Sequence, residues 1–229
     1  MERFVGLYFC VVDKTNPKLA QTIHALESAA QSLDAGPERM TSLDALAQWI
    51  ADQSPASPTD LIYICTHNSR RSHMGQIWAQ AAAWHAGLDD VRTFSGGTEA
   101  TAFYVHAIQA LRDCGVSIEG IESGVNPLYQ VRLQSSHAPF KAFSKVFSEG
   151  GNPTSEFAAV MTCDSADEAC PVVPGAAARF ATPYQDPKAS DGTGRESAIY
   201  LERAMQIGAE CFYVMMRAAE IRAAQSAQD

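Results

Sequence analysis

Apolar positions in the first quarter of the chain recur with a helical period, and beyond it they gather into short blocks. PKLAQTIHALESAAQSL (17–33) reads as an amphipathic helix with Asn16 as N-cap and Pro17 in its first turn. TSLDALAQWIADQ (41–53) reads as a second, begun by Thr41 or Ser42. SPASPTD (54–60) is a linker by composition. These signals predict a helical extension over about 1–56, packed on the main domain or on a second subunit in a homodimer. The main domain is expected over about 57–225. No chemistry attaches to the extension in the sequence.

From residue 60 strand and helix signals alternate. DLIYIC is a short buried strand, HMGQIWAQAAAWHAG a helix closed by Gly87, and VRTFSGG a strand running into a glycine turn. TAFYVHAIQALRDCG is a helix ending at Gly115, FAAVMTC another buried strand, and RESAIYLERAMQIGAECFYVMMRAAEIRAA a long final helix. Such alternation predicts an α/β fold with a parallel sheet flanked by helices. An excursion over about 120–156 holds LYQVRL and KAFSKVF, which predict an inserted antiparallel hairpin. Arg132, Lys141 and Lys145 in it read as a solvated face.

Charge narrows the function classes. The 229 residues carry a formal charge of −9. That balance argues against nucleic acid and against anionic membranes, both of which demand a basic face. Small anions need only local positive potential. The apolar run Phe4 to Val12 is flanked by Glu2, Arg3, Asp13 and Lys14, which is not the pattern of a signal peptide. No run approaches the ~18–20 apolar residues of a membrane-spanning helix. A cytoplasmic location is therefore expected, where cysteines stay reduced unless they are catalytic or bind metal.

Six cysteines make that distinction matter. Cys65 ends the first buried strand, and CTHNSRRS leads from it into a helix. A loop between the carboxyl end of a parallel strand and a helix N-terminus gathers backbone N–H groups that suit an anion. The same field favours the charged form of a thiol placed there. The planar fork of Arg71 can grip two oxygens of a tetrahedral oxyanion. Ser72 can donate to the sulfur, and Asn68 tolerates the positive φ that a tight cradle requires. The candidate cradle comprises Thr66, His67, Asn68, Ser69, Arg70, Arg71 and Ser72, with Cys65 as nucleophile. Its bland alternative is a core cysteine beside a surface arginine.

CTHNSRRS resembles the phosphate loop of low-molecular-weight protein tyrosine phosphatases and of the arsenate reductases that share their fold. The likeness spans about 60–215 and continues in FSGGTEATAFYVHAIQALRDCGVSI, VMTCDSADEACPVVPG and YQDP. It implies a three-layer, doubly wound parallel sheet. It also implies Asp186, before Pro187, as general acid. Cys163 and Cys170 stand seven positions apart, as in the relay of thioredoxin-coupled arsenate reductases. By that resemblance Cys65 attacks arsenate, Cys163 attacks Cys65 to release arsenite, and Cys170 attacks Cys163. Thioredoxin or a glutaredoxin-type reductant then reduces the Cys163–Cys170 bond. No metal and no other cofactor is expected.

Two other readings stay open. One is a phosphomonoesterase working through a cysteinyl-phosphate with the cysteine pair idle. The other is a non-catalytic anion- or partner-binding protein on the same fold. Lys188, Ala189 and Ser190 follow the Asp-Pro where tyrosine phosphatases carry aromatic residues, and a small inorganic anion suits that mouth better. His67 stands where many relatives have glycine, Arg70 where they have a small residue or a second cysteine. Gln76 replaces the glutamate of the reductases' potassium site, which speaks against potassium dependence. Cys10, Cys114 and Cys211 read as packing thiols, Trp78 and Trp84 as core, and His73 as a surface residue.

Overall fold

The computed structural model describes residues 16–169 and 172–227. Its elements begin with α1 (Pro17–Gln31), α2 (Pro37–Ala51), β1 (Thr59–Cys65), α3 (Arg71–His85) and β2 (Val91–Gly97). They continue with α4 (Val105–Asp113), β3 (Ser117–Glu122), β4 (Leu128–Arg132) and β5 (Phe140–Ala142). The last are β6 (Phe157–Met161), α5 (Asp164–Ala169), β7 (Ala176–Ala181), a 3-10 turn (Pro187–Ser190) and α6 (Glu196–Ser226).

Strand β1 is buried along its whole length, and this sets the layering. Leu61 and Tyr63 enter the larger core, while Ile62 and Ile64 enter a second one, because successive side chains point to opposite faces. A parallel sheet covered on both faces needs such uninterrupted apolar strands. The sheet runs β2-β1-β6-β7, every pair parallel. Helix α3 lies against β1 and β2 on the larger core, and the short α5 lies on β1 and β6.

Two differences from the expected elements have physical causes. Helix α2 starts at Pro37, after Gly36 at φ 84°, rather than at Thr41 or Ser42. A proline at the first helical position loses no needed N–H and fixes φ in advance. The excursion forms a three-stranded antiparallel sheet, β3-β4-β5, rather than a hairpin. Its first strand, SIEGIE, is too polar and exposed to announce itself.

Helices α1 and α2 share the larger core with the sheet and pack on α6. Asn16 caps α1, its Oδ1 accepting from Leu19 N at 3.1 Å, and its Nδ2 donates to Gly115 O at 2.7 Å. Leu26 is fully buried where α6 presents Gly208; a Cβ there would lie 2.9 Å from the leucine methyls. Leu26→Ala is expected to cost about 3 kcal/mol, the usual size of a buried cavity. Urea unfolding of the full chain checks this, since a detachable helical pair would leave the main transition unmoved.

Candidate active site

Strand β1 stops at Cys65 and α3 starts at Arg71, so the cysteine loop lies at the carboxyl edge of the sheet. Its peptides are turned one way. The carbonyls face the surrounding protein: Cys65 O accepts from Thr98 N (3.1 Å), Thr66 O from Glu99 N (2.9 Å) and Ser69 O from Tyr104 N (2.9 Å). His67 O accepts from Ser144 Oγ at 3.0 Å and from Thr101 Oγ1 at 3.1 Å. Among the described residues, the backbone N–H groups of His67 to Arg71 donate to no acceptor. Buried amides need partners, so a run of unpaired ones at a helix N-terminus is a seat for an anion.

Several residues hold that inversion in place. Asn68 is fully buried at φ 44°, the left-handed region that asparagine tolerates. Its Oδ1 accepts from Lys145 N at 2.9 Å. Gly97, at the end of β2, lets the loop come close: a Cβ there would meet Thr66 O and Asn68 N at 2.7 Å. The excursion supports the loop from the side. Asn126 brackets Ser144 through both its backbone groups (2.7 and 3.1 Å), and Ser144 carries the His67 carbonyl.

Cys65 Sγ lies 3.1 Å from Ser72 Oγ. Asn68 Nδ2 donates to that same oxygen at 2.8 Å, which leaves the serine hydrogen to point at the sulfur. The guanidinium of Arg71 spans two acceptors, with Nη1 donating to Tyr184 O at 2.9 Å and Nη2 to Asp186 Oδ2 at 2.5 Å. Its Nε is buried and unpartnered. Asp186 Oδ1 accepts from Lys188 N at 3.0 Å and so caps the 3-10 turn. Cys163 lies just past β6, next to β1, with its sulfur 3.5 Å from Thr66 Oγ1 and accepting from Ala166 N at 3.4 Å. Cys170 and Cys10 lie outside the described residues.

Other candidates sit differently from expectation. Arg70 turns its side chain away from the cradle: Nε donates to Tyr200 OH (2.6 Å), Nη2 pairs with Asp191 Oδ2 (2.9 Å), and the guanidinium stacks 3.9 Å over Tyr104. His67 is half-buried and pairs with Glu99 at 2.9 Å. Thr66 and Ser69 turn their side chains to Cys163 and Ala102 O. His73 is fully buried rather than on the surface, stacked on Phe103 and 3.2 Å from Ser95 Oγ. Burial holds its pKa well below 6.5, so it is neutral. Lys145 is 6% exposed rather than solvated, its ammonium over the Phe143 ring. In KAFSKVF it stands two positions from both Phe143 and Phe147. Cys114 and Cys211 are buried, and burial pushes their thiols up to about 11 and about 12. Among the described residues no group of His, Cys, Asp or Glu is arranged to hold a metal, and no helix is long and apolar enough to cross a membrane.

No family model matches the chain. An arsenate reductase of Bacillus licheniformis is 25% identical over 150 residues, 64% of this chain and 87% of its own. Arsenate reductase 2 of Staphylococcus epidermidis is 26% identical over 130 residues, 56% and 77% of the two chains. The chain is thus similar in sequence to arsenate reductases over about three fifths of its length. Among solved structures, a low-molecular-weight phosphotyrosine phosphatase of Vibrio cholerae is 16% identical, covering 75% of this chain and 97% of its own with a TM-score of 0.43. In this chain the excursion that carries Ser144 and Lys145 bonds the cysteine loop at His67 O and Asn68 Oδ1.

Lys145 yields a stability prediction. Desolvation lowers its pKa from 10.5 to about 8, so between those values the unfolded chain binds more protons and stability rises with pH. Below pH 8 the burial cost is full. Lys145→Met should therefore be more stable than the parent at pH 7 by roughly 1–3 kcal/mol. That gain should shrink steadily towards pH 10.5 in parallel urea titrations.

Proposed function

We propose that the chain is an arsenate reductase in which Cys65 is the nucleophile and Cys163 the first relay thiol. The observation that carries this reading is the seating of Cys163 Sγ within 3.5 Å of Thr66 Oγ1, the residue next to Cys65, at the same end of adjacent parallel strands. A cysteine with only a packing role has no reason to sit against the anion loop.

The geometry supports the following chemistry. Arsenate enters the cradle, held by the unpaired amides and by Arg71. The Cys65 thiolate attacks arsenic, and Asp186 protonates the departing hydroxide, which leaves as water. Cys163 thiolate then attacks Cys65 Sγ. An S–S bond forms, the S–As bond breaks with its electron pair going to arsenic, and As(V) becomes As(III), released as arsenite. Cys170 attacks Cys163, freeing Cys65 as thiolate and leaving the Cys163–Cys170 disulfide for a thioredoxin- or glutaredoxin-type dithiol.

In the free protein Asp186 occupies one arm of the Arg71 fork. An incoming protonated oxyanion takes that arm and passes its proton to the displaced carboxylate, which then stands as the acid beside the leaving oxygen. Oxyanion binding and arming of the acid are thus one exchange of partners.

Two experiments test the reading. Mass-spectrometric mapping after one turnover with arsenate should find a Cys163–Cys170 link, and Cys163→Ser should lose multiple turnover. Retention of full turnover by that variant, with hydrolysis of phosphate esters, would make the protein a phosphomonoesterase instead. Asp186→Ala should lower kcat by about 10²-fold. It should also tighten phosphate protection of Cys65 against alkylation, because it removes the competitor for Arg71.

A further inference from the structure

Arg39 lies on α2, far in sequence from the cysteine loop, yet its guanidinium reaches the segment that carries the acid. Nε and Nη2 donate to Glu210 Oε2 at 2.9 and 2.6 Å, and Nη1 donates to Pro183 O at 3.0 Å. Its carbon sits 4.5 Å from the centre of the Tyr184 ring. The hydroxyl of Tyr184 donates to the same Glu210 oxygen at 2.9 Å. The Arg39 side chain is 16% exposed and that of Glu210 3%.

The next links lead into the site. Tyr184 N donates to Thr162 O at 3.1 Å. Tyr184 O is the acceptor that orients Arg71 Nη1, and Asp186, two residues on, holds Nη2. A residue that only anchored α2 to α6 would need Glu210 alone. The third bond, to a loop carbonyl, and the ring stacked beneath it have no use in such an anchor.

We propose that Arg39 is a positioning residue for residues 183–186, fixing at once the carbonyl that aims Arg71 and the carboxylate that serves as acid. The assignment rests on the reading of Asp186 given above. It makes α2 part of the catalytic architecture. Lysine cannot replace it fully, since a single ammonium does not present a planar fork to two separate acceptors.

The test uses the full chain with phenyl phosphate and p-nitrophenyl phosphate as probes. Phenolate leaves poorly and needs the acid, whereas p-nitrophenolate needs it much less. Arg39→Met should lower kcat on phenyl phosphate by about tenfold and on p-nitrophenyl phosphate by less than about twofold. The alkaline limb of its pH–rate profile should flatten, Arg39→Lys should fall between, and in an Asp186→Ala background Arg39→Met should add no further loss. Equal losses on both esters that track a loss of folded protein would overturn the assignment, as would unchanged kinetics or additivity with Asp186→Ala. A parent that turns over neither ester nor arsenate ends the reading of the site on its own; one that reduces arsenate and hydrolyses neither ester removes only these two probes. Arg39 is then judged by phosphate protection of Cys65 from alkylation: several-fold weaker protection in Arg39→Met upholds the positioning role through Arg71, and equal protection ends it.

Discussion

Main-chain amides can grip an anion only if the carbonyls of the same peptides are satisfied elsewhere. Everything around Cys65 serves that requirement. The carbonyls of residues 65, 66, 67 and 69 are taken by Thr98, Glu99, Thr101, Tyr104 and Ser144, so the amides are free to face a ligand. The donors come from three separate stretches: the turn after β2, the start of α4 and the end of the antiparallel sheet. The late start of α4 follows from this, because residues 101–104 are occupied in bonding to the loop before the helix begins. What looks like an elaboration of the fold is the external half of the cradle's hydrogen bonding.

Arg71 adds a charged fork beside that loop. Its fork rests on a carbonyl and a carboxylate drawn from the same short segment, residues 184–186. That segment follows β7, the edge strand, where few neighbours constrain it. Stability there is supplied from outside the sheet, by the buried Arg39–Glu210 pair and the tyrosine between them. A buried charge pair is costly unless its remaining hydrogen bonds are made, and here Glu210 also receives Tyr184 and Gln206.

The parallel sheet and its helices were legible because β1 and β6 are apolar throughout and α1, α3 and α6 carry clear period and punctuation. Strand β7 was not, since AAARFA at a sheet edge has neither β-branched residues nor alternation. The shape of the loop was legible in the order Cys65, Asn68, Ser72, since their contacts with one another are local. The side-chain directions of His67 and Arg70 were not, because their partners Glu99, Tyr200 and Asp191 are distant in sequence. Lys145 and Arg39 escaped for the same reason. A pattern along the chain records which residues are buried within an element, and these two matter for what they meet across elements.

Helix α6 touches α1, α2, α3 and α4 at once and ties Asp90 to Ile50 through Arg222. Strand β1, with Cys65 at its tip, is packed beneath that assembly. Loosening the far end of this spine is therefore felt at the sulfur without any rearrangement between them, because no seam separates the N-terminal helices from the layer that holds the cradle.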